Sequence, residues 1–215
     1  QPSLTAAILV IGNEILSGRT LDKNTQHIGA KLLERGIVVQ EARIVADVEA
    51  EIVAAVNALR AKVDYVFTTG GIGPTHDDIT AACIAKAVGA EFGTHAEAYE
   101  VLKSYYGKDE LTDARARMAK MPMNATLIDN PVSGAPGFNV ENVYVMAGVP
   151  KIMQGMLDNI LPTLGQGATI YNNTITCGLY ESVIASDLGE LQDQYKMLDI
   201  GCYPRFEAGK VSISV

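Results

Sequence analysis

The sequence predicts an α/β fold, a mostly parallel sheet covered by helices, followed by a small C-terminal α+β segment. Three observations predict it. Strand-like and helix-like stretches alternate from the start of the chain. Ala6 to Ile11 is continuously apolar, as a parallel strand covered on both faces must be. After Pro162 and Gly165-Gln-Gly167 the pattern changes, which puts a boundary at residue 166 between segments 1–166 and 167–215.

After the first strand, residues 22–35 read as a helix with Ile28, Leu32 and Leu33 at helical spacing and Gly36 placed to end it. Residues 37–45 read as a strand, 49–61 as a helix with Ile52, Val53, Val56 and Leu59 on one face, and 63–69 as a buried strand. A β-α-β-α-β series of this kind implies parallel strands joined by right-handed crossovers. A helix over 77–88, helical stretches over 97–106 and 113–121, and short strands over 125–128 and 143–146 continue it. The last helix of this segment covers 150–160, with Pro150 in a tolerated first-turn position. In the tail, 174–179, 181–195 and two short runs ending at Val215 read as a β-α-β-β unit. The chain opens on Gln1 rather than Met and stops inside a strand-like pattern, so trimming is expected at either end.

The 215 residues are 48% apolar, ample for a core and incompatible with disorder as the main state. Lys and Arg total 17 against 25 Asp and Glu, a net charge of −8. The densest basic stretch, Arg115 to Lys120, holds three positive charges, so neither nucleic acid nor an anionic membrane surface is an expected partner. The apolar run at Ala6 is too short to span a bilayer. Cys83, Cys177 and Cys202 are odd in number and far apart, which disfavours a disulfide framework and a cysteine zinc site. A cytoplasmic location is expected.

Chemistry is expected in the loops that leave strand ends. Thr68-Thr-Gly-Gly-Ile-Gly-Pro-Thr-His-Asp-Asp-Ile-Thr80 follows a buried strand, passes three glycines and enters a helix. Glycines admit close approach to backbone amides, and free N–H groups favour an anionic oxygen. The alternative is that Gly70, Gly71 and Gly73 only make a tight turn while Asp77 or Asp78 caps the helix. A second loop, Gly12 to Gly18 with Asp22 and Asn24 behind it, leaves the first strand in the same way, and the loops at 130–137 and 147–150 add two more. Candidate ligand-binding residues are Gly12, Asn13, Glu14, Ser17, Gly18, Asp22 and Asn24 in the first loop, and Thr69, Gly70, Gly71, Gly73, Pro74, Thr75 and Asp77 in the second. Ser133, Gly134, Ala135, Pro136, Gly137, Gly148 and Pro150 complete the set. The glycine segment is neither a P-loop nor a dinucleotide fingerprint. His95-Ala-Glu97 lacks the second half of a deaminase zinc motif, Met118, Met121 and Met123 read as core filler, and three histidines, His27, His76 and His95, are too few to expect a multi-histidine metal site, although His76 could face the ligand crevice.

The 68–80 segment resembles the signature of the molybdopterin-binding superfamily, the MoaB/Mog fold. Gly12-Asn-Glu-Ile-Leu-Ser-Gly18, Asp22, Asn24, Ala135-Pro-Gly-Phe138 and Gly148-Val-Pro150 are similar to its CinA-like branch and to the related domain attached to eukaryotic FAD synthases. The resemblance covers residues 4–165. It implies a three-layer α/β/α domain with a mostly parallel mixed sheet and a homo-oligomer, dimer or trimer. The implied ligand is a small molecule, a pterin such as molybdopterin or a nucleotide carrying phosphate. Asp47 and Asp78 match the two aspartates linked to molybdopterin adenylylation in Mog-type enzymes. CinA-like members are associated instead with metal-dependent cleavage of nucleotide pyrophosphates such as ADP-ribose or FAD, for which Asp47, Asp77 or Asp78 would hold Mg²⁺ or Mn²⁺. Binding without hydrolysis and a non-catalytic interaction module remain the alternatives. Asn13 stands where many relatives carry Asp, and the long amidase-like domain of CinA is absent, so nicotinamide-nucleotide deamidation is not expected.

Overall fold

The computed structural model describes residues 3–107, 109–168, 171, 173–207 and 210–215. It divides into two units, Gln1–Ile170 and Tyr171–Val215. In the larger unit, β1 (Leu4–Ile11) carries Ala7, Leu9 and Ile11 into one apolar core and Ala6, Ile8 and Val10 into another. Both faces of the strand are dry, which is why its sequence is continuously apolar rather than alternating.

The chain continues through a single helical turn α1 (Asn13–Leu16), α2 (Asn24–Glu34), β2 (Ile37–Val45), α3 (Glu49–Arg60), β3 (Tyr65–Thr69) and α4 (Thr80–Val88). There follow β4 (Phe92–Thr94), α5 (Ala96–Tyr106), α6 (Asp113–Ala116), β5 (Lys120–Pro122), β6 (Thr126–Ile128), β7 (Gly137–Val140), β8 (Val143–Met146) and α7 (Pro150–Ile160). Six strands form one sheet in the order β2-β1-β3-β8-β7-β6. β2, β1, β3 and β8 are parallel, and β7 runs antiparallel to both β8 and β6. α3, α4 and α5 cover one face with Ile52, Leu59, Ile84 and Leu102, and α2 and α7 cover the other with Ile28, Leu32, Met153 and Leu157. The domain is therefore a three-layer α/β/α structure around a mostly parallel mixed sheet.

This winding locates the site. α2 leads from β1 to β2 on one face, while α3 leads from β2 to β3 on the other, and β2 and β3 flank β1 on opposite sides. Where the winding reverses, the chains leaving β1 and β3 part to opposite faces and open a crevice beyond their carboxyl ends.

Several elements differ from the sequence reading. α4 starts at Thr80, not at residue 77, because the Thr80 N–H donates to Gly71 O at 3.0 Å and its hydroxyl to Gly70 O at 2.9 Å. Asp77 and Asp78 lie ahead of the helix, and neither caps it. The helix expected over 113–121 stops at Ala116. A 3₁₀ turn at Arg117–Ala119 follows, and Lys120, Met121 and Pro122 pair with Thr94, Gly93 and Phe92 in a separate two-stranded sheet. β7 lies at the end of what reads as a glycine loop, with Phe138 opposite Val145. Leu33, expected on the apolar face of α2, is 39% exposed.

The second unit is an antiparallel sheet of β9 (Thr176–Cys177), β10 (Tyr203–Glu207) and β11 (Lys210–Ser214) in the order β10-β11-β9, with α8 (Glu181–Gln194) between β9 and β10 in sequence. Ile213 is buried, and the hydroxyls of Thr176 and Ser214 share a hydrogen bond of 3.3 Å. Among the described residues no helix is long and apolar enough to cross a membrane.

Two glycines separate structural need from tolerance. Gly70 has φ 103°, and a Cβ there would sit 2.1 Å from the Ile11 carbonyl oxygen. Gly29, within α2, has open space where a Cβ would go. Gly70→Ala is expected to cost about 2–4 kcal/mol and Gly29→Ala to stabilise by about 0.5–1 kcal/mol, read from denaturant midpoints.

Candidate functional site

The segment after β3 contributes to two cavities, and the residues expected to form one site divide between them. The first is a crevice of about 50 Å³ at the ends of β1, β3 and β8, walled by Glu14, Thr20, Asp22, Asn24, Thr69, Gly70, Gly148 and Pro150. The second, of about 220 Å³, is lined by Gly73, Thr75, His76, Asp78, Arg117, Lys120 and Pro136 and by apolar residues that include Phe92, Met121 and Phe138.

Asn24 organises the crevice. Its own N–H and that of Thr25 donate to Asp22 Oδ1 at 2.9 and 3.1 Å, so Asp22 holds the start of α2. Asn24 Nδ2 reaches across to Gly148 O at 2.8 Å and joins α2 to the loop after β8. The side chain is only 6% exposed, and its Oδ1 has no hydrogen-bond partner. Thr69, 1% exposed, likewise has an unpartnered Oγ1. Buried polar atoms are nearly always paired, and both of these orphaned oxygens belong to residues that line the crevice.

Glu14 also lines the crevice, and its carboxylate folds back over Gly12, whose Cβ position lies 2.6 Å from both carboxylate oxygens. Asp47 is engaged elsewhere. Its Oδ2 accepts from the Asn13 N–H at 2.9 Å, and Asn13 Oδ1 accepts from the Asp47 N–H at 3.4 Å. This reciprocal pair ties the loop after β1 to the loop after β2, and Asp47 lines neither cavity. Asp78 faces the larger cavity, where its Oδ2 accepts from the Thr75 N–H at 2.8 Å and from the Thr75 hydroxyl at 2.5 Å. A Cβ on Gly73 would meet that carboxylate at 2.7 Å. Asp47 and Asp78 thus do not share a cavity, and each braces a loop.

Gly71, at φ 69°, gives room for the Thr80 side chain rather than for a ligand. Ser17, whose hydroxyl donates to Glu14 O at 3.3 Å, Gly18, Pro74 and Asp77 line neither cavity. In the loop after β6, Asn130 accepts from the Val132 and Ser133 N–H groups and donates to Ser133 Oγ and Ala135 O. Ser133 is held there as part of the loop, Gly134 makes room for the Tyr105 ring, and Gly137 packs against Val145 O; of this loop only Pro136 reaches the larger cavity. Sequence reasoning passed over Thr20 and read Arg117 and Lys120 only as part of the densest basic stretch, not as site residues. Cys83, on the buried face of α4, has its thiol pushed up to about 11 by burial, which disfavours the thiolate.

Among the described residues no group of three or more His, Cys, Asp or Glu side chains is placed to hold a metal ion. Glu14 and Asp22 do share the crevice wall, and a hard cation there would draw its other ligands from phosphate and water.

Comparison with known proteins places this geometry. Residues 7–166 match the family model described as "Probable molybdopterin binding domain". The chain belongs to the molybdopterin-binding superfamily. Within the superfamily it is CinA-like: a solved structure of CinA, a protein of unknown function from Thermoplasma acidophilum, superposes with a TM-score of 0.71 at 36% identity, over 75% of this chain and 98% of that one. MoaB from Thermus thermophilus shares the fold, with a TM-score of 0.50 at 16% identity over 75% of this chain and 91% of that one. A protein from Caldivirga maquilingensis is 37% identical over 196 residues, 87% of this chain and 76% of that protein. One from Sulfolobus acidocaldarius is 35% identical over 211 residues, covering 93% and 80%. Residues 169–215 match the middle domain of FAD synthase.

The bracing role of Asp78 in this superfamily member is measurable without a ligand. Asp78→Ala is expected to lower stability by about 1–3 kcal/mol, because the Thr75 donors lose their acceptor, and Asp78→Asn by about 1 kcal/mol or less. Equilibrium denaturation of both variants checks the order.

Proposed function

We propose that the chain binds a small phosphate-bearing ligand, a nucleotide pyrophosphate or a pterin phosphate such as molybdopterin, at the crevice beyond β1, β3 and β8. The observation that carries this reading is a crevice at the strand ends whose lining includes two residues, Asn24 and Thr69, that each keep a buried side-chain oxygen without a hydrogen-bond partner. Leaving such an atom unpaired costs about 1–3 kcal/mol, which a bound donor recovers. A carboxamide oxygen only accepts, so the ligand must offer an amino or hydroxyl group to it. Ribose hydroxyls and the amino group of a pterin both qualify. A crevice of about 50 Å³ admits one such edge, and the remainder of the ligand extends outward. The position at the reversal of strand order, the superfamily, and the likeness of the tail to a domain of FAD synthase support the same ligand classes.

Metal-dependent cleavage of the pyrophosphate is the second reading, favoured by the Glu14 and Asp22 carboxylates on that wall. A bound Mg²⁺ or Mn²⁺ would neutralise the phosphoryl oxygens. Glu14 and the second oxygen of Asp22 are the groups that would hold it.

Thermal-shift titration with ADP-ribose, FAD, ATP and molybdopterin, with and without divalent metals, tests binding; silence from all of them overturns the reading. Thr69→Val is expected to leave the melting temperature of the free protein unchanged or slightly raised, since it removes an unpaired hydroxyl, while weakening ADP-ribose binding about tenfold. Release of AMP from ADP-ribose in the presence of Mn²⁺, reduced at least tenfold in Glu14→Gln, would establish cleavage. Absence of release from the wild type across metals leaves the chain a binding protein.

A further inference from the structure

Among the described residues, seven Lys and Arg side chains form salt bridges, and Arg117 and Lys120 are not among them. Both line the cavity of about 220 Å³, and both also line an adjoining cavity of about 290 Å³ with Thr94, Tyr99 and Asp113. The 3₁₀ turn carries Arg117, and the pairing of Lys120 with Thr94 fixes the backbone at the start of β5, so the two cations have rigid anchors. Thr75, His76 and Asp78 line the larger cavity with them. The apolar part of the lining includes Phe92, 42% exposed, together with Met121 and Phe138, each 1% exposed.

The chain carries a net charge of −8, so its overall field repels anions, and an anion is held only where local cations outweigh that field. A guanidinium fork and an ammonium lining one cavity match a phosphate, and apolar residues in the same lining match a flat ring. We propose that this cleft is a phosphate-reading site for a phosphorylated flat heteroaromatic ligand, with the phosphate on Arg117 and Lys120 and the ring against the apolar lining that includes Phe92. The assignment rests on the ligand class proposed above and deepens it: these two residues distinguish a phosphorylated ligand from its dephosphorylated form.

The test is calorimetric titration of the full chain at low salt with AMP, a purine phosphomonoester, and with adenosine. AMP should bind at least tenfold more tightly than adenosine, and the preference should shrink as salt is raised. In the double variant Arg117→Ala/Lys120→Ala the ratio should fall to near one with adenosine binding unchanged, and Arg117→Lys alone should keep most of the preference. Both side chains are exposed, so the melting temperature of the double variant should match the wild type. A wild type that binds AMP no better than adenosine, or a double variant that keeps the full preference, overturns the proposal. Thr69→Val separates the two readings: unchanged ADP-ribose affinity there defeats the crevice reading, while the AMP-to-adenosine ratio still decides this one.

Discussion

The carbonyl oxygen of Ile11 lies 2.1 Å from where a side chain on residue 70 would begin, so the ends of β1 and β3 meet backbone against backbone. Gly148, arriving from β8, has its own Cβ position 3.2 Å from Gly70 Cα. Three parallel strands therefore converge without side chains between them, and Thr80 secures the junction by donating its hydroxyl to Gly70 O. With bulkier residues the strand ends would splay, Asn24 would lose its reach to Gly148, and the crevice would open into a groove. Glycine serves here as an absence of volume, more than as a source of flexibility.

The same junction explains why the segment after β3 serves two cavities. Thr69 and Gly70 are still locked to the strand ends, whereas Gly73 onward swings out under the control of Asp78 and Thr75. A carboxylate that accepts two bonds from its own loop is spent on loop shape, and the Asp47–Asn13 pair does the equivalent between the loops after β1 and β2. The carboxylates with capacity left on the crevice wall are Glu14 and Asp22. Charge is mixed in both places: Glu14, Asp22 and Lys23 border the crevice, and Asp78, Arg117 and Lys120 border the larger cavity. A ligand with a polar edge and an anionic end would find different chemistry in the two places.

The fold was legible because burial on both faces of a parallel strand writes itself into consecutive residues, as at Ala6 to Ile11, and because helices at 24–34, 49–60 and 150–160 each expose a 3.6-residue apolar rhythm. The loops at the strand ends were legible from their glycines, and the superfamily motifs from their order along the chain. Those signals are local, and the sequence by itself determined them: alternation, the covered sheet, and which loops face the carboxyl ends. Tertiary structure alone decided the rest. Lys120 to Pro122 became a strand only because Phe92 to Thr94 lies alongside, a partner that no window around residue 120 contains. Asp78 turned to Thr75 instead of capping α4 because Thr80 was already committed to Gly70 and Gly71, a competition among hydrogen bonds settled by the packing of strand ends. The orphaned oxygens of Asn24 and Thr69, and the absence of Arg117 and Lys120 from the salt bridges among the described residues, exist only once distant segments have been brought together, since pairing and burial are properties of the folded surroundings and not of residue type.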